Sequence, residues 1–203
     1  MNAALSAVLP QSDPYGGTSS VASPTFFTST AQGQQVVDWV LVRLLSGAPG
    51  TTLALAAERP GLLLRNGQIT GTDATSPLGF SGVAAGSYYV VVRHRNHLAV
   101  MSANAVSFAG GSATYDFTTA QAQAFGANPM REVTVGVFAL VAGDGNATGD
   151  VSAADRNTVW RPQNGLAGYR NADYNLSADV SATDRNSFWR PNNGRATQVP
   201  AGF

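Results

Sequence analysis

The sequence predicts a mainly-β chain: an antiparallel β-sandwich over residues 36–141, followed by a small tandem of loop–helix units over residues 142–199. Three observations predict it. Short runs of β-branched and aromatic residues alternate with Gly-rich turns. Helical periodicity is scarce before residue 142. Beyond it the chain repeats itself with a shift of 29 residues, and 14 of the 22 positions in 144–165 recur identically in 173–194. A mixed α+β domain is the alternative for the first part.

Residues 1–35 are expected to form an extended N-terminal segment, available as an inter-subunit strand, because Ser, Thr, Gly and Pro dominate from Ser12 to Gln35. Val36–Leu44 is the first strand. Leu53–Ala57 and Leu62–Arg65 are two more, and Asn66-Gly67 supplies the positive φ angles of a tight hairpin. Ser87–His94 is the strongest strand pattern. Val106–Phe108 and Thr114–Phe117 flank Gly110-Gly111, and Glu132–Val141 reads as the last strand. Residues 200–203 are a tail.

Composition narrows the function classes. Charged residues make up 12%, about half the usual share of ~25%. All twelve basic residues are Arg, and six of the ten Asp lie in the repeat. A net charge of zero argues against nucleic-acid binding and a polybasic membrane anchor, and leaves self-association easy. With no Cys, disulfides and thiolate sites are excluded. No apolar run is long enough to span a membrane. The N-terminus lacks the basic n-region of a signal peptide.

Each repeat holds a twelve-residue loop, Asp144–Asp155 and Asp173–Asp184. Oxygen-bearing side chains stand at positions 1, 3, 5, 9 and 12, with a backbone carbonyl at position 7. The candidate metal ligands are Asp144, Asn146, Thr148, Asp150 and Asp155, then Asp173, Asn175, Ser177, Asp179 and Asp184. This is EF-hand spacing, which wraps one hard cation in oxygen. No His or Cys takes part, so Zn²⁺ and copper are disfavoured, and Ca²⁺ suits the set better than the tighter Mg²⁺. Two Ca²⁺ ions are therefore expected. Thr or Ser at position 5, Asp rather than Glu at position 12, and Ala178 where Gly149 stands in the first loop all predict weak affinity, near ~10⁻⁴ M. Asp/Asn-rich turns without metal are the plainer reading. Val151 and Val180 at position 8 are expected to pair the two loops. A helix follows each loop, Ala153–Trp160 and Ala182–Trp189, with Ser152 and Ser181 as N-caps and Pro162 and Pro191 as stops. Trp160 and Trp189 either close a small core or form an exposed pair for a partner.

Catalytic motifs are missing from the sequence. His94 and His97, three apart on a strand, are expected on opposite faces. Arg93, Arg95 and Asn96 beside them suit either an anion or glycan site or a polar strand end. The Asn-x-Ser/Thr triplets at Asn146 and Asn175 coincide with expected metal ligands and are read as chance matches.

The two loop–helix units, each with Asp at position 12, resemble the type I dockerin repeat. The wider string, including Val37–Val42, Gly86–His97, Tyr115-Asp116-Phe117 and both Trp-Arg-Pro runs, resembles a β-sandwich plus dockerin-like module of secreted Bacteroidota surface proteins. The resemblance implies an immunoglobulin- or prealbumin-like sandwich, an extracellular or cell-surface location and a non-catalytic structural role. Asp155-Arg156-Asn157 and Asp184-Arg185-Asn186 do not match the cohesin-recognition pairs of dockerins, so a cellulosome role is not implied. Relatives carry one more strand before the segment matching Met1. A sandwich lacking it would leave a groove that a neighbouring copy could fill head to tail, building a filament. The competing expectation is an adaptor or carbohydrate-binding module using Trp39, Tyr88 or Tyr89. A hydrolase relying on His94 and Asp38 comes third.

Overall fold

The computed structural model describes residues 1–21, 27 and 35–202. The fold is mainly β and antiparallel. Strands β1 (Val36–Ser46), β2 (Ala54–Leu64), β3 (Ile69–Thr70), β4 (Ser87–His94), β5 (His97–Met101) and β6 (Val106–Ser107) form one sheet in the order β3-β2-β1-β4-β5. The short β6 also pairs with β4. β7 (Arg131–Thr134) and β8 (Val137–Ala139) form a separate hairpin.

The central β1 is apolar along nearly its whole length because both of its faces are covered. Val40 and Val42 face a cluster with Val92, Val100, Ala124 and Met130, closed by Phe117, Phe138 and Leu140. Val37 and Trp39 face the opposite way, onto Leu5, Leu9, Val21, Phe27 and Leu176. Among the described residues, the first face is roofed by the β7–β8 hairpin and irregular chain rather than by a second broad sheet.

Several sequence expectations are corrected. The two strands expected at 53–57 and 62–65 are one continuous β2, running through Pro60. β3 pairs only with Leu62 and Leu63, so the rest of β2 is an outer edge among the described residues. An edge can hold a proline whose missing N–H would have faced away from the sheet. Thr114–Phe117 forms no strand. Tyr115 instead donates its hydroxyl to Gln123 O at 2.5 Å, tying the segment across the sheet end. Glu132–Val141 is a hairpin, not a strand, because Gly136 takes φ 73° and turns the chain.

The N-terminal segment is also not an extended strand as far as it is described. Ala4–Ala7 is a 3₁₀ turn, and residues 12–20 close a loop around Asp13, whose carboxylate accepts the N–H groups of Tyr15, Gly17 and Ser19. Leu5 and Leu9 are buried against Trp39 in the same chain. Trp39 Nε1 donates to Pro10 O at 2.9 Å, and Tyr15 Oη donates to Trp39 O at 3.0 Å. Residues 22–26 and 28–34 of that expectation lie outside the described residues.

Both helices run past their prolines, over residues 153–163 and 182–192, instead of stopping at Trp160 and Trp189. Their middles, Asp155–Trp160 and Asp184–Trp189, are π-wound. A proline ring crowds the carbonyl four residues before it, and the wider turn relieves that crowding.

Candidate cation-binding loops and the buried hub beneath them

All ten candidate ligands fall in the two loops, and the loops share one backbone shape. Positions 4 and 6 are left-handed in both: Ala147 and Gly149 at φ 56° and 91°, Leu176 and Ala178 at φ 59° and 68°. A left-handed residue with a Cβ costs roughly 1–2 kcal/mol. The strain at Ala178 follows from the sequence alone; the strain at position 4 does not.

The turns bring backbone amides onto the carboxylates. Asp144 accepts the N–H groups of Thr148 at 2.9 Å and Gly149 at 3.0 Å; Asp173 accepts those of Ser177 and Ala178, both at 2.9 Å. The position-12 carboxylates are fully buried. Asp155 Oδ2 accepts Ser152 N–H at 2.7 Å, while Ser152 Oγ accepts Ala154 N–H, which makes a capping box for the first helix. Asp184, Ser181 and Thr183 repeat this. Position 12 therefore serves loop and helix together, and the serines cap as the sequence suggested.

Nearer solvent, Thr148 Oγ1 lies 2.7 Å from Asn146 Oδ1 and 2.8 Å from Asp150 Oδ1; Ser177 Oγ lies 2.7 Å from Asp179 Oδ1. Each loop thus gathers carboxylate, amide and hydroxyl oxygens around a shared centre. Burial first, then the neighbouring Asp155 and Asp150, push the Asp144 carboxyl up to about 6. Burial and Asp184 do the same for Asp173, also to about 6, against the pull of the amides and Arg95. Charge at these positions is unfavourable without a cation beside it. No three His, Cys, Asp or Glu side chains form a ligand cluster among the described residues, so an ion here would need the Asn, Thr or Ser and carbonyl oxygens as well.

The two units are locked crosswise. Val151 N–H and C=O pair with Arg195 O and Gly194 N–H, and Val180 pairs likewise with Leu166 O and Gly165 N–H. The position-8 valines therefore do not pair with each other, as expected from sequence, but with the exit of the opposite unit's helix. Trp160 Nε1 donates to Ser181 O and Trp189 Nε1 to Ser152 O, each at 2.9 Å. Trp189 is buried, and Arg156 lies over its ring. The Trp pair closes the core between the units.

A polar hub seats this tail on the sheet. Asp38 is fully buried in β1. Its carboxylate accepts Trp39 N–H at 2.8 Å, Tyr169 Oη–H at 2.8 Å and Arg95 Nε–H at 2.9 Å, and His94 Nε2 lies 3.1 Å away but poorly aligned for a hydrogen bond. Burial alone would raise the Asp38 pKa; Arg95, His94 and Tyr169 overcome it and hold it at about 2. The turn between β4 and β5 reaches into the repeat. Asn96 Nδ2 donates to Asn171 O at 3.0 Å and to Asp173 O at 2.8 Å, and Arg95 donates to Arg170 O. His94 and His97 are cross-strand partners with Nδ1 atoms 3.1 Å apart, not residues on opposite faces, because the chain reverses at Arg95-Asn96. Burial, then His94 and Arg95, hold the His97 pKa well below the usual imidazole range. Arg95 and Asn96 are buried, so this strand end is not an open anion or glycan site.

Compared with known proteins, the chain matches no family model, no curated sequence and no solved structure.

Proposed function

We propose that the chain is a non-catalytic extracellular structural module whose tail is fixed by two Ca²⁺ ions, in the manner of a dockerin-like pair behind an immunoglobulin-like sandwich whose second layer is reduced to the β7–β8 hairpin and irregular chain. One observation carries the reading: two loops of EF-hand spacing adopt the same strained turn and collect hard oxygen donors around buried carboxylates. The residues present fit the ion. Asp144, Asn146, Thr148, Asp150 and Asp155 would hold one, and Asp173, Asn175, Ser177, Asp179 and Asp184 the other. The ion supplies positive charge where the two position-1 carboxylates lack it. Because Asn96 grips the carbonyl of Asp173, order in the second loop passes directly to the sheet. The Asp38–His94 pair lies buried under the tail, which favours a structural role for it over a hydrolytic one.

At about ten times a Kd of ~10⁻⁴ M, two ions stabilise the fold by about 3 kcal/mol together. The expected result is a Tm about 6–12 °C higher in millimolar CaCl₂ than in EGTA for a chain of this size. Equal melting curves would count against the reading.

A second reading, self-association into a surface polymer, rests on different residues. Ala54–Arg59 presents an unpaired strand edge among the described residues, with Leu55 47% exposed. Val133, Val135 and Val137 project from the β7–β8 hairpin, and Val135 is 95% exposed. Open edges and apolar tips are where strands add. Sedimentation velocity is expected to show concentration-dependent growth in Ca²⁺, reduced by Val135→Lys. A monodisperse monomer at high concentration would oppose it. The competing carbohydrate-binding reading loses Trp39, which is fully buried, and Tyr88, which is largely so. No described helix is long and apolar enough to cross a membrane.

A further inference from the structure

Loop 2 differs from loop 1 most sharply at position 2, where Tyr174 stands in place of Gly145. Tyr174 is 1% exposed, and its hydroxyl has no hydrogen-bond partner among the described residues. Its ring does not stay in its own loop. A Cβ added to Gly145 would lie 2.7 Å from Tyr174 Oη and 3.0 Å from Val159 Cγ1, so the hydroxyl occupies the space that a side chain at position 2 of loop 1 would need. The charges facing the phenol are those of Asp155 and Asp144 from loop 1, and then Asp184. At its other end, the Tyr174 N–H donates to Asp184 Oδ1 at 2.8 Å, the position-12 carboxylate of loop 2.

One residue therefore has its backbone fixed by the carboxylate of one loop and its buried donor aimed into the other. An unsatisfied buried hydroxyl is rare in a native fold, and each instance calls for a reason. A phenol O–H can orient a carboxylate without adding charge to it. Gly145 is not in the left-handed region, so its lack of a side chain is explained by the seat it leaves for the tyrosine and not by backbone strain.

We infer that Tyr174 is a positioning residue that couples the two cation sites: ordering loop 2 fixes its ring in the space beside Gly145, with its unpartnered hydroxyl on the loop 1 side. The inference rests on the calcium reading above. By reciprocity, an ion in either loop then favours an ion in the other. The coupling is asymmetric in structure, since no side chain runs from Gly145 back into loop 2.

The test uses the intact chain, titrated with CaCl₂ and followed by the amide resonances of Gly149 and Ala178, one in each loop. In Tyr174→Phe, which keeps the ring and removes only the hydroxyl, the Gly149 midpoint is expected to move to about fivefold higher Ca²⁺ or more. The Ala178 midpoint is expected to rise as well, because the coupling is reciprocal. Gly145→Ala, which displaces the ring sterically, shifts Gly149 in the same direction. Midpoints that stay put in both variants, or a shift confined to one loop, overturn the coupling and leave the calcium reading standing. No Ca²⁺-dependent shift at either amide in the unmodified chain removes both.

Discussion

Asp38→Ala is expected to lose about 3–5 kcal/mol of stability, measured by urea unfolding with tryptophan fluorescence as the probe. The carboxylate is completely buried and answers four groups: a backbone N–H, a tyrosine hydroxyl, a guanidinium and an imidazole. Truncation leaves Arg95 charged and buried against the Tyr169 ring, 4.2 Å from its centroid, with only the weaker attraction of Asp173 to compensate it. A loss of this size is a large part of the roughly 5–15 kcal/mol that holds a domain together. Changing both partners, Asp38→Ala with Arg95→Met, is expected to recover part of the loss, since an apolar pair incurs no such penalty. The pH dependence has a defined sign. The folded pKa of Asp38, about 2, lies below its ordinary value of 3.8. Its contribution is thus fully present above about pH 4 and is lost as pH falls through about 2. In Asp38→Ala this acid-sensitive part of the stability disappears, which a denaturation series from neutral to acid pH measures.

Asp184→Ala is the second large effect, with an expected loss of about 3 kcal/mol or more even in EGTA. Asp184 Oδ1 accepts the N–H groups of Tyr174 at 2.8 Å and Asn175 at 3.2 Å, and Oδ2 accepts that of Ser181 at 2.8 Å. Removing it orphans these amides and breaks one half of the second helix's capping box, leaving only the bond from Thr183 N–H to Ser181 Oγ. Asp184→Asn separates geometry from charge: it keeps one acceptor oxygen but sets an N–H₂ group against a backbone N–H. Calcium affinity is expected to fall in both variants, while Asp155 keeps the first loop folded. Circular dichroism and calcium titration of the two variants measure the two losses apart. Equal stability of Asp184→Ala and the unmodified chain would show that the loop is not held as described.

The loops were legible because their information is local. Oxygen-donor spacing, the glycine at position 6 of the first loop and the serine caps all lie within twelve consecutive residues, and the duplication shows the spacing and the caps twice. The strands β1 and β4 were equally plain from their β-branched runs, and Asn66-Gly67 marked a reversal, although only Gly67 takes a positive φ, 93°, and four residues rather than two link β2 to β3. What stayed hidden depends on distant partners. Asp38 looks like a stray acid in an apolar strand until Tyr169, 131 residues away, is folded onto it. The reversal at Arg95-Asn96 carries no glycine to announce it, so His94 and His97 read as one strand. The crosswise pairing of Val151 and Val180 follows from how two helix exits meet, which neither repeat specifies by itself. Leu53–Ala57 and Leu62–Arg65 read as two strands because the sequence does not say that β2, with Pro60 inside it, lies at an edge. The broad second sheet of a sandwich was expected from the count of short strands, yet two of those segments, at 114–117 and 132–141, became a tie across the sheet end and a small hairpin.

Isothermal titration calorimetry of the purified chain with CaCl₂, after exhaustive chelation, tests most directly whether the duplicated turns hold metal. Saturable heat with a stoichiometry near two and affinity near ~10⁻⁴ M is the expected result. A flat thermogram at millimolar calcium would contradict it, and would reduce the paired loops to acidic turns held by their own amides.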